Sequence, residues 1–217
     1  MAINRKLIAQ NVVLVLNNIN TGIFDKFWFV DNGVFTRDEF LQDSIFAPGI
    51  SVVSTNECNL SILPNQIQFA VKSDDPEVGL NCVMQKMSAF IRALSNVGVL
   101  AMGMNFSWRI EDDEKSIMAF TKHLFNNQTT AINEYFNHDD ARFGSYFSQD
   151  VDNETRLKLD IKPVKSIENG IGVDFVLASF NYHSDITVQN YQEFLLRLLE
   201  KWPVLSKNSE EIVCLLK

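Results

Sequence analysis

Cysteine is scarce and unpatterned in this chain, with only Cys58, Cys82 and Cys214, an odd number at wide spacing. No C-x-x-C pair and no paired histidines accompany them. That argues against a disulfide framework and against structural zinc, and it suits a reducing, cytoplasmic setting. No apolar run reaches the ~20 residues that a membrane helix needs, so neither a membrane-spanning segment nor a membrane partner is expected. Arg5 and Lys6 precede an apolar stretch as in a signal peptide, but Gln10 and Asn11 interrupt it and no small-residue cleavage site follows.

Positive charge is in deficit, with 19 Lys and Arg against 27 Asp and Glu and a net charge of −8. Such a balance opposes non-specific nucleic-acid binding, which needs cations to displace counterions. It suits a soluble chain that meets a basic protein partner or associates with itself. G-x-S-x-G, G-x-x-x-x-G-K and G-x-G-x-x-G are all absent, which removes sequence support for nucleophile-elbow hydrolases, P-loop enzymes and dinucleotide binders. No cofactor is implied.

What is present is an ordinary globular composition, 217 residues with 46% hydrophobic and 21% charged. The clearest signal lies in residues 73–110. Leu80, Val83, Met84, Met87, Phe90, Ile91 and Leu94 recur on one helical face, with Asp75 as cap, Pro76 in the first turn, and Asn96 and Gly98 as the stop. A strand follows at once, its large residues Leu100, Met102, Met104, Phe106 and Trp108 alternating with small Ala101, Gly103, Asn105 and Ser107. The small side leaves room for a ligand or for a closely approaching backbone, or else reads as close packing, under a bulky neighbour or in a strand covered on both faces; glycine in a strand more often marks the packing.

Before this unit, residues 11–17 read as a short, fully buried strand, and Thr36 with Glu39 forms a capping-box pattern that predicts a helix over 37–45. Strands follow at 50–57 and 59–72, with a turn at Pro64-Asn65. After it come a helix over 113–125 capped by Asp112 or Asp113, a polar connector over 126–141, and strands at 142–148, 155–164 and 171–183. Glu168-Asn169-Gly170 supplies the last turn. A helix over 187–202 is capped by Asp185 and stopped by Pro203, and a short tail helix starts at Ser209. The fold class expected is α+β, with largely antiparallel sheet and helices on one face. It reads as a single domain over 1–217, with pseudo-repeated strand-hairpin-helix halves at 1–125 and 142–217 joined by 126–141.

Two sets of residues are candidates for function. Phe27, Trp28, Phe29 and Phe35, in a turn-broken aromatic stretch, form either a recognition surface or a lid over the core. His138, Asp139 and Asp140, with His123 upstream, are the one string that fits a divalent metal or a general base. Adjacent residues point apart on regular elements, so a polar connector is the simpler reading of that string. A basic strand face, Arg156, Lys158 and Lys162 with Lys165 and the nearby Tyr146, fits single-stranded nucleic acid, though a solvated sheet face explains it equally. The function expected is a non-catalytic protein-interaction or assembly protein. The rival is a metal-assisted hydrolase built on His138, Asp139 and Asp140.

Overall fold

Two long strands, β1 (Ile3–Leu16) and β6 (Val99–Asp112), run antiparallel side by side and carry the sheet outward in both directions. The computed structural model describes residues 3–73, 75–95, 97–112, 116–126, 130–188 and 190–216. Its other strands are β2 (Ile45–Ala47), β3 (Ile50–Ser54), β4 (Cys58–Leu63), β5 (Gln66–Val71), β7 (Ser145–Asp150), β8 (Arg156–Glu168) and β9 (Ile171–Asp185). Among the described residues these form one antiparallel sheet of nine strands, in the order β2-β3-β4-β5-β1-β6-β9-β8-β7. Around it lie α1 (Lys26–Asp31), α2 (Pro76–Cys82) leading through a π-turn (Val83–Met87) into α3 (Ser88–Ala93), α4 (Ile117–Phe125), α5 (Ala131–Tyr135), α6 (Tyr191–Leu199) and α7 (Trp202–Cys214). The architecture is α+β. No helix among the described residues is long and apolar enough to cross a membrane.

Several elements differ from expectation for physical reasons. β1 is longer than residues 11–17 and is buried on one side only. Val12 and Leu14 are fully enclosed, while Val13 and Val15 keep solvent contact on the opposite face. Half of the Thr36–Glu39 box is made, with Glu39 Oε2 accepting from Thr36 N at 2.6 Å, but the Thr36 hydroxyl donates to the same carboxylate at 2.9 Å while Glu39 N donates to the Thr36 carbonyl at 3.3 Å, and turns follow instead of a helix. Phe35, Phe40 and Phe46 all pack with Phe29, and their spacing of five and six residues would scatter them around a helix. A helix forms earlier, as α1, where Asp25 Oδ1 accepts from Trp28 N at 2.8 Å. Pro203 opens α7 instead of stopping its predecessor, since a first-turn position needs no N–H. Asp185 does not cap the next helix and instead meets His183 Nε2 at 3.1 Å. Ser116 caps α4. Asn96 and Asp113, named above as helix stop and cap, lie outside the described residues.

The helix-facing side of the sheet holds the core. Met102, Met104, Phe106 and Ile110 of β6 and Val176, Phe180 and Tyr182 of β9 meet Val83, Met87 and Phe90 from the long helix and Leu195, Leu199 and Trp202 from α6 and α7. Ile117 and Phe120 of α4 join the same core. Buried polar tips are paired: Trp108 Nε1 donates to Ser209 Oγ at 2.9 Å, and the Tyr182 hydroxyl donates to Asn208 Oδ1 at 2.8 Å. Burial pushes the Tyr182 phenol well above its usual range, so it stays a donor. Arg5 ties down the end of α7, its Nε donating to the Val213 carbonyl at 3.1 Å and its Nη2 to that of Leu216 at 2.7 Å.

The opposite face is polar and part-exposed, and the small side of β6 lies there. Among the described residues neither a bulky neighbour nor a second layer fills it. Side chains of adjacent strands do so laterally: Asn105 donates to Asn11 at 2.8 Å and Asn181 donates to Asn105 at 2.5 Å, a ladder across β1, β6 and β9. A Cβ on Gly103 would come within 2.9 Å of the Asn181 amide nitrogen, which is why glycine stands beside the ladder.

Candidate interaction surface

The aromatic candidates separate according to the turn of α1. Phe29 and Phe35 are buried, within a cluster that includes Phe24, Trp28 and Phe90 at centroid separations of 4.8 to 6.4 Å. Trp28 is part-buried against the core, and Phe27 alone of the four is exposed. Two residues apart on a helix means roughly 200° of rotation, so Phe27 faces away from Phe29. A surface reading therefore cannot rest on Phe29 or Phe35, which serve as core.

His138, Asp139 and Asp140 sit on the exposed turn after α5, and His123 is exposed in the last turn of α4. His138 and Asp140 line a shallow groove of about 640 Å³ with Tyr135, Phe136 and Arg142. Among the described residues, no three His, Cys, Asp or Glu side chains converge in a way that would hold a metal ion.

A second polar groove, about 830 Å³, runs between the end of β8 and the approach to α6. Its charges are largely answered from within. Arg156 meets Asp150 at 2.8 Å, His183 meets Asp185 at 3.1 Å, and Lys201 meets Asp152 at 2.8 Å. Two cations of the basic strand face are engaged in the same way, because Arg156 also donates to Ser148 and Lys162 contacts Asp160 at 2.6 Å. Cations already facing carboxylates offer little to a phosphate backbone. All three cysteines are free thiols, Cys58 and Cys82 buried and Cys214 exposed.

The sequence reading did not single out the margin of the sheet at β7. Among the described residues this strand has β8 on one side and no strand on the other, and residues 146–150 are all exposed. Beneath it, on the helix side, an apolar groove of about 540 Å³ is lined by Tyr146, Phe147, Leu157, Leu159 and Ile161 of β7 and β8 and by Ile212, Leu215 and Leu216 at the end of α7. The floor is enclosed, with Leu157, Leu159 and Ile161 nearly inaccessible, whereas Phe147 is 50% and Leu215 73% exposed at the rim. Because Arg5 pins the carbonyls at the end of α7, the groove's far wall is held in place. The sequence signal was the adjacent pair Tyr146-Phe147, apolar on both faces of one strand. Its meaning depends on β7 being outermost.

No protein-family model matches the chain, and a search of curated proteins returned no match.

Proposed function

We propose that the chain is a non-catalytic protein-interaction or assembly protein that works through the β7 margin. The observation that supports this is an exposed strand bordering an apolar groove whose rim residues, Phe147 and Leu215, are 50% and 73% exposed. Large apolar side chains grouped at one solvent-facing place favour association. His138, Asp139 and Asp140 share one exposed turn, His123 is exposed on α4, and among the described residues no three such side chains converge to hold a metal ion, which lends no comparable support to hydrolysis.

The strand order also favours a pseudo-duplicated architecture. From β1 the sheet extends through β5, β4, β3 and the three-residue β2, and from β6 through β9, β8 and β7, each series followed by a helix. On this reading β6 and α4 belong with the second unit, and the division falls near residues 94–98 instead of at the 126–141 connector.

The test is capture from the native host at low salt, comparing the wild-type chain with Leu215→Glu. A protein retained by the wild type and lost by the variant supports the reading. Equal retention by both, or none by either, counts against it.

A further inference from the structure

The two ends of the sheet are finished differently. β2 is three residues long and runs into Pro48 and Gly49, so it offers little edge to pair with. β7 is six residues long and pairs with β8 without a bulge. It has no proline and no lysine, and its one charge, Asp150, is held by Arg156 at 2.8 Å. The devices that normally blunt an edge strand are therefore missing at one end of the sheet only.

We propose that β7 pairs antiparallel with β7 of a second copy, across a two-fold axis through Phe147 and perpendicular to the sheet. This deepens the interaction reading above and rests on it. Such an axis keeps each side chain on its own face, because only registers centred on a residue preserve the alternation of a strand. Centred on Phe147, the register sets Tyr146 opposite Ser148 of the second copy and Ser145 opposite its Gln149. Asp150 falls opposite Gly144, so no charge faces a like charge. The two Phe147 rings meet on the helix side, at Cβ separations of about 4.5–5.5 Å for directly opposed residues. They sit over the rims of both apolar grooves, toward the exposed Leu215 of each chain. A register centred on Ser148 would instead set Phe147 against Gln149 and leave the ring unmatched.

Symmetry supplies from the second copy the apolar residue that the edge lacks, which an arbitrary extended peptide would have to bring by chance. The blunted β2 ends the assembly at two, a closed isologous pair instead of a filament. Six residues of edge span about 20 Å. With one aromatic and one helix end per chain, the contact falls short of the roughly 800 Å² per partner of a standard interface, so the dimer is weak and concentration-dependent.

Sedimentation equilibrium over a roughly hundredfold concentration range should show a monomer–dimer equilibrium that Phe147→Lys abolishes, with folding of the variant confirmed by thermal melting. In a Cys214→Ser background, Phe147→Cys should cross-link between copies under copper–phenanthroline oxidation, while Tyr146→Cys, which does not face itself, should not. A single monomeric species at every concentration, a dimer indifferent to Phe147→Lys, or equal cross-linking at 146 and 147 would each overturn the proposal. If Phe147→Lys fails to fold, the cross-linking comparison decides alone. A chain that stays monomeric yet captures a host protein dependent on Leu215 would overturn self-pairing and leave the interaction reading standing.

Discussion

Phe27 and Phe29 share a residue type and a six-residue helix, yet one is 68% exposed and the other fully enclosed. Truncating Phe29 removes a ring from the middle of an aromatic cluster and should cost about 3–5 kcal/mol, while Phe27→Ala should stay within about 0.5 kcal/mol of wild type. Urea unfolding of the two variants measures the difference, and comparable losses would show that the α1 face is misassigned. Ser209 makes a similar case with a polar atom. It accepts the indole N–H of Trp108, so Ser209→Ala leaves a buried donor without its partner and should destabilise by about 1–3 kcal/mol. Neither distinction could be read from residue type alone, because Phe27 and Phe29 differ only in helix phase and the Trp108–Ser209 bond joins residues a hundred positions apart.

At the scale of elements, what local pattern dictates was legible. Residues 157–161 alternate in the sequence and in burial, and the Asn169-Gly170 turn has both residues at positive φ, 50° and 78°, as a tight hairpin requires. Elements were misread where tertiary packing outweighed a local signal. The helix expected over 37–45 gave way to ring packing around Phe29, although its capping contact survived. That contact has a measurable consequence. Burial raises the Glu39 carboxyl, but hydrogen bonds from Lys86 and Thr36 outweigh it and hold the group below its usual range. Asp152 is likewise lowered, with burial opposed and exceeded by Lys201 and the Glu154 N–H. A carboxylate depressed in the folded state contributes stability that is present above its unfolded value, about 4, and lost as pH falls through the folded one. Melting temperature should therefore drop on acidification below about pH 4, and Glu39→Gln should flatten that slope. An unchanged slope would remove Glu39 from the account.

At the scale of the whole molecule, the α+β class followed from the sequence, but strand order did not, and the candidate surface depends on strand order. Tyr146 and Phe147 look like an ordinary pair of strand residues until β7 is seen to be the last strand, beside the pinned end of α7. On the proposed reading, this end of the sheet joins a second copy of the chain. That pairing is tested most directly by amide hydrogen exchange measured at low and high protein concentration. Amides of residues 145–150 should gain protection as concentration rises, while those of residues 45–47 at the opposite end should not. Exchange at 145–150 that is fast and independent of concentration would contradict it.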